Sequence, residues 1–256
     1  MEFPPGVLAA FGLYLVRTSA LVLFSPILGQ VTAASGYKLS LIACLSLLLF
    51  SAGGEALPEP VGPIAYGAMA LRELLIGLFL AFLLHLVVLS VRVAGGMIGQ
   101  EMGFSMSQQV DPGSGIRTAL VTRIYETFFL LGLLAVDGHH GVLRSLAASF
   151  ERAPVGRVQM ASGMAAAVQE LFAEMFAAGL TFAAPVMVFL ALVSVLMGLL
   201  ARAVPQLNVL EIGFILRIGL ALVAMATFAP TLAPTLEHTY AVFASWLERA
   251  LDVLGD

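Results

Sequence analysis

The sequence predicts an all-α protein of a membrane complex, made of helical hairpins with about six hydrophobic segments, some of them broken. Of the 256 residues, 60% are hydrophobic and only 11% are charged, and the mean hydropathy is +1.01. Soluble domains carry about 25% charged residues. A chain with so few charges cannot cover its own apolar surface, so it needs lipid or protein neighbours.

Two helices and a turn are predicted before the third apolar segment. Residues 7–28 predict the first helix. Residues 39–52 predict a second helix of roughly 21 Å, which is short for the roughly 30 Å thickness of a hydrocarbon core. Residues 53–63 contain several glycines and prolines and two glutamates, which indicates a turn exposed to water. Residues 64–91 then predict a long third helix.

The centre of the chain is a polar, glycine-rich stretch, residues 95–115, between two apolar segments. Gly95, Gly99 and Gly103 recur every four residues, so on a helix they would share one face and allow close helix packing. The Asp-Pro-Gly sequence at 111–113 is expected to end any helix. The stretch is interpreted either as a packing or re-entrant segment, or as a loop across a pathway.

Two further helices follow this polar centre. Residues 118–136 predict a helix that Gly138 would cap at its C-terminal end. Residues 161–201 predict a long helix that Pro185 should kink.

A second polar break precedes the end of the chain. Its residues are Pro205, Gln206, Asn208 and Glu211. Asn208 is a good N-cap and Glu211 lies at the third helical position, a variant of the capping box, so a helix should start directly after Asn208. Pro230 and Pro234 are expected to break this helix, which leaves a final amphipathic helix over residues 237–254.

Charged residues interrupt the apolar segments. An arginine at the centre of a lipid-facing helix costs about 2.5–3.5 kcal/mol, so such residues should face protein or water. We interpret them as inter-helix or inter-subunit pairs: Arg17, Arg72, Glu73, Arg123 and Arg217. Arg123 and Glu126 are spaced to pair on one helix face, whereas the adjacent Arg72 and Glu73 are predicted to reach different neighbours.

The composition and motifs argue against an enzyme. A net charge of −4 without a basic patch argues against nucleic-acid binding. The single cysteine, Cys44, excludes an internal disulfide and a cysteine-based metal site. Neither a His-Glu-x-x-His pattern nor a phosphate-binding loop is present. The adjacent His139 and His140 are not expected to bind one metal ion from a regular helix, so no catalytic residue, metal or cofactor is predicted.

The charge distribution gives no membrane orientation. With six spans, basic residues fall equally on both sides, so the positive-inside rule cannot be applied. Helices buried among other subunits fit this pattern better than a bundle surrounded by lipid.

The polar breaks follow one another in a characteristic order. They are GGMIGQEMGF at 95–104, VDPG at 110–113, DGHH at 137–140, SF at 149–150, RAVPQLNV at 202–209 and IGF at 212–214. Their order, spacing and total length resemble the FliR family, the flagellar counterpart of the injectisome export-gate protein SctT. The segment before Lys38 departs from the pattern, because AASGY stands where a proline is expected.

The resemblance implies an export-gate subunit and not an enzyme. With FliP-like and FliQ-like subunits, it would form the channel through which unfolded flagellar proteins are exported. It implies a FliP-like part over about residues 1–160 and a FliQ-like hairpin over about 161–256. FlhB-like and FlhA-like proteins would be further partners, and the location would be the inner membrane at the flagellar basal body.

The resemblance also implies that the loop at 106–115 plugs the closed channel. The residues of the plug and its constriction would be Met102, Phe104, Met106, Gln108, Asp111, Pro112 and Gly113. An alternative from another class is a secondary transporter for a small solute, for which broken helices and buried charges are typical.

Overall fold

The computed structural model describes residues 5–26, 35–57, 61–103, 119–156, 164–204 and 209–255, which are helical with short connections. These residues form seven helices: α1 (Pro5–Phe24), α2 (Ser35–Gly53), α3 (Pro63–Glu101), α4 (Ala119–Ala135), α5 (Gly138–Arg152), α6 (Met164–Ala203) and α7 (Val209–Gly255). The predicted all-α class is confirmed.

Among the described residues, four helices are long and apolar enough to cross a membrane. They cover Gly6–Phe24, Gly36–Gly53, Pro63–Glu101 and Val168–Ala203. The expectation that the second helix is too short was wrong. Helix α2 has 19 residues because it begins at Ser35 and includes Lys38, a good helix former. At about 1.5 Å per residue it is roughly 28 Å long, close to the hydrocarbon thickness.

The helix ends also differ from the prediction at the junction of α4 and α5. Gly138 does not cap α4, because it is already the first residue of α5. Asp137 adopts the left-handed conformation there, with φ at 56°. Aspartate tolerates this region better than most residues, so it can replace glycine at the turn.

The last helix is continuous where the sequence predicted a break. Helix α7 has 47 residues and passes through Pro230 and Pro234. A proline removes one backbone hydrogen bond and disfavours helix, but the remaining bonds of the helix still form. In apolar surroundings a helix that lacks one bond at each proline exposes far fewer unpaired backbone groups than an open loop. Helix α6 continues through Pro185, where the expected kink stays a prediction.

The helices divide into two compact units. Unit 1 contains Met1–Leu86, Asp137–Leu171 and Val242–Asp256, and unit 2 contains Val87–Val136 and Phe172–Ala241. Each unit therefore combines segments that are distant in sequence. The division into a FliP-like and a FliQ-like part near residue 160 stays a prediction.

Unit 1 is organised around α1. Helix α1 packs against α2, and its Leu13 is fully buried. Gly77 of α3 lies directly against the backbone of α1, since a Cβ at this position would be 2.5 Å from the carbonyl oxygen of Arg17. This close approach brings charged residues of α1 and α3 together.

Candidate functional site

Arg17 and Glu73 form a buried ion pair between α1 and α3 in unit 1. The Nε of Arg17 donates a 2.6 Å hydrogen bond to Oε2 of Glu73, and its Nη2 contacts the same oxygen. Both side chains have 0% relative exposure. A buried pair is tolerated only where good geometry and further hydrogen bonds replace the lost hydration.

Arg17 obtains those further bonds from the C-terminal end of α5. Its Nη1 donates to the carbonyl oxygen of Ser149 at 2.7 Å, and its Nη2 donates to that of Ala153 at 2.8 Å. The carbonyl end of a helix carries the negative end of its dipole. The carbonyl oxygen of Ser149 also accepts the backbone N–H of Ala153 at 3.0 Å, so Arg17 adds a second, charged donor there. Arg17 therefore stabilises the end of α5 from another helix.

Arg72 completes the group, and the prediction that it avoids Glu73 was wrong. Its Nη1 lies 3.0 Å from Oε1 of Glu73 and donates to the carbonyl oxygen of Pro154 at 3.2 Å. The rule against adjacent partners concerns Cβ directions, whereas a long arginine can fold back to a neighbouring carboxylate. Glu73 thus offers one oxygen to each arginine. We call Arg17, Arg72 and Glu73 the buried charge cluster.

Aromatic rings line one side of the buried charge cluster. The rings of Tyr14 and Phe150 stack with centroids 4.2 Å apart, and the guanidinium carbon of Arg17 lies 4.2 Å from the Phe150 ring centroid. A cation over an aromatic face gains a further attraction when both are desolvated. The cluster is therefore packed as tightly as a core, and it leaves no room for a solute beside Arg17.

In unit 2, the C-terminal end of α3 is fixed from two directions. Gly103 has φ at 87°, and its N–H donates to the carbonyl oxygen of Gln100 at 3.0 Å. Arg217 of α7 donates through Nη1 to the carbonyl oxygen of Glu101 at 3.3 Å. Met102 between them is buried, with 1% exposure. Gly103 therefore ends the helix and does not continue the glycine face expected along it.

Two other glycines of the predicted face do lie in α3, and both are buried. A Cβ on Gly95 would lie 2.5 Å from the Cα of Thr122 in α4. Gly99 lies one turn further along the helix. At Gly95, the helix backbones approach as closely as small residues permit.

Glu126 was predicted to pair with Arg123, and this prediction was wrong. Glu126 instead accepts from Nη2 of Arg92 at 2.6 Å, because it faces α3, while Arg123 is exposed. This pair links α3 and α4 inside unit 2. No single-helix spacing could have indicated it, since the two residues lie on different helices.

Most of the predicted plug and of the second polar break lies outside the described residues. This holds for Phe104, Met106, Gln108, Asp111, Pro112, Gly113, Pro205, Gln206 and Asn208. Helix α7 begins at Val209, as predicted, and Glu211 lies in its first turn. Sequence reasoning missed the carbonyl acceptors of Ser149, Ala153 and Pro154, because a backbone carbonyl carries no residue-type signature.

Known proteins match this chain along most of its length. Residues 8–242 match the family described as bacterial export proteins, family 1. The chain belongs to this family. Flagellar biosynthetic protein FliR of Escherichia coli (strain K12) is 31% identical over 229 residues, which cover 88% of this chain and 86% of that protein. FliR of Bacillus subtilis (strain 168) is 27% identical over 249 residues, covering 96% of both chains.

The similarity extends to a second kind of relative. Surface presentation of antigens protein SpaR of Shigella flexneri is 24% identical over 206 residues, covering 80% of this chain and 79% of that protein. The predicted membership of the FliR family is confirmed. Together with the four apolar helices, it makes the chain a membrane protein of a bacterial export system.

Proposed function

We propose that the chain is the FliR-like subunit of the flagellar type III export gate. With FliP-like and FliQ-like subunits it forms the channel through which unfolded flagellar proteins leave the cytoplasm. The observation that carries this proposal is the similarity to two flagellar FliR proteins over 88% and 96% of the chain. The proposed location is the inner membrane at the flagellar basal body, with FlhB-like and FlhA-like proteins as further partners.

Helix α6 supports an assembly, because two of its faces are apolar and only one is buried in unit 2. The buried face consists of Val186, Leu190, Val193 and Met197. The other carries Val188, Leu192, Val195 and Leu199, each about 60% exposed. A helix that is apolar all round is normally covered on every side. Lipid and the FliP-like and FliQ-like subunits are the proposed cover.

The loop at residues 106–115 is the proposed plug of the channel, with Met102 and Phe104 beside the constriction. The position of this loop supports the proposal, since Gly103 and Arg217 fix the end of α3 only three residues before the loop begins. A plug needs a firm anchor, and glycine at positions 113 and 115 permits backbone angles that other residues rarely adopt. The sequence has no phosphate-binding loop motif, and we propose that the energy for transport comes from other subunits.

The buried charge cluster argues against a solute transporter. A transporter aims its buried charges at a cavity where the substrate binds. Here Arg17 is held by Glu73 and by the carbonyls of Ser149 and Ala153, so its charge serves the packing of unit 1. Its role is to hold three chain segments in place.

Ion leakage tests the plug. One variant deletes residues 106–115, and a second replaces them with a Gly-Ser sequence of equal length. Both variants should assemble with their partners and should raise proton and sodium leakage across the membrane, since neither restores the side chains of the seal. If both assemble and leave the barrier intact, the plug role is refuted while membership of the gate still stands.

A further inference from the structure

We propose that Asp137, His139 and His140 bind a divalent transition-metal ion at the start of α5. Each residue offers one ligand atom, and the three atoms lie within 4.8 Å of one another. Two imidazoles and one carboxylate are a ligand set that Zn²⁺ and Cu²⁺ accept. This proposal is independent of the export role.

The two imidazoles lie close together, although adjacent histidines were not expected to bind one metal ion from a regular helix. The ring centroids of His139 and His140 are 4.1 Å apart, with an angle of 35° between the ring planes. The two residues lie at the very beginning of α5, directly after the left-handed Asp137. Their rings are therefore neighbours in the first turn of α5.

The spacing of the ligand atoms suits a single ion. The Nδ1 of His140 lies 3.4 Å from Oδ1 of Asp137. Two ligands at about 2.0–2.1 Å from a tetrahedral Zn²⁺ are about 3.3 Å apart. Asp137 and His140 are more than half exposed, with side-chain exposures of 74% and 55%. Both side chains are therefore free to rotate toward a shared ion.

An unsatisfied nitrogen gives a second, independent reason. The Nδ1 of His139 is buried and has no hydrogen-bond partner in the part of the chain that the structure describes. A buried polar atom without a partner is costly, and each such atom in a native structure requires an explanation. A metal ion bound by His139 at this nitrogen supplies the missing partner.

The local charges permit a cation. The positive end of the α5 dipole opposes one, but the carboxylate of Asp137 offsets it. Arg144 lies one turn further along α5 and is exposed, so water and salt screen its charge. Three protein ligands leave a fourth position of the tetrahedron open for water or for a residue of a neighbouring subunit.

Cobalt titration of the full-length protein, purified with a tag that lacks histidine, tests the site. Co²⁺ replaces Zn²⁺ in such sites and gives a visible absorption band. We expect a band that saturates at one Co²⁺ per chain and disappears when Zn²⁺ is added. H139A and H140A should abolish the band. The matched control H85A should keep it, since His85 lies on α3 and contacts the carbonyl of Ala81.

Thermal unfolding with and without Zn²⁺ distinguishes loss of the metal site from misfolding of a variant. Zn²⁺ should raise the melting temperature of the wild type and of H85A, because a ligand that binds the folded state stabilises it. It should leave D137N, which keeps both histidines, with little shift. Absence of a saturable band in the wild type, or an equal band in H139A and H140A, overturns the proposal.

Discussion

The carboxylate of Glu73 lies against the guanidinium of Arg17 in the interior of unit 1, with both side chains fully buried. The two residues are 56 positions apart in sequence, and Arg17 continues the link to Ser149, 132 positions away. One ion pair therefore joins α1, α3 and the end of α5. Loss of either partner should affect the whole unit and not one helix.

Replacing Glu73 with glutamine should destabilise unit 1 by about 3–5 kcal/mol, because it leaves two buried arginines without their carboxylate. Thermal unfolding of the detergent-solubilised protein measures this. The matched control is Glu151→Gln on α5, where the glutamate is exposed and little change is expected. A Glu73→Gln variant as stable as the control would show that the pair contributes nothing.

A double replacement tests the coupling between the two residues. Arg17→Met alone should also destabilise the protein, because Glu73 then loses one of its two arginine partners. The double variant Arg17→Met with Glu73→Gln should lose less stability than the sum of the two single variants, since the broken ion pair is counted only once. Strict additivity in the same thermal measurement would contradict a direct interaction.

Gly95→Ala should weaken the packing of α3 against α4 by about 1–3 kcal/mol, because the new methyl group meets the backbone of Thr122. The adjacent Gly96 is the matched control. A Cβ there would meet no atom of a packed neighbour within 4 Å. Gly96→Ala should therefore be neutral or stabilising by up to about 1 kcal/mol. Equal stability of the two variants would show that α3 and α4 are not in close contact at Gly95.

Arg217→Met should loosen the end of α3 without preventing assembly, because it removes the side chain that bonds the Glu101 carbonyl. If this end anchors the plug, ion leakage should rise in the assembled complex, but by less than after deletion of residues 106–115. Arg202→Met is the matched control, since Arg202 is exposed at the end of α6. Ion leakage equal to that of the control would show that Arg217 does not contribute to the seal.

The sequence predicts well what depends on composition and local pattern. The excess of apolar residues indicated the membrane class, and Arg17 inside an apolar segment indicated a charge that must be buried against protein. Asn208 and the polar break before it correctly placed the start of α7. These inferences hold because the cost of an exposed charge in lipid or of an uncapped helix depends little on the rest of the fold.

The partners of the charged residues could not be predicted, because they depend on how helices pack. Glu126 had a suitable Arg123 on its own helix, yet it faces Arg92 across the interface with α3. The prediction that Pro230 and Pro234 break the helix was also wrong, since α7 is continuous through both. Local propensity disfavours a helix there by a few kcal/mol, but in apolar surroundings a helix leaves fewer backbone groups unpaired than an open loop.

The most direct test of the export-gate assignment is a mild-detergent pulldown of the full-length chain from its own cells, with mass spectrometry of the proteins that accompany it. We expect FliP-like and FliQ-like proteins in one stable complex. Glu73→Arg, which places a third positive charge in the buried charge cluster, should reduce their recovery. A lone, monodisperse chain, recovered while those partners are present in the same cells, would contradict the assignment.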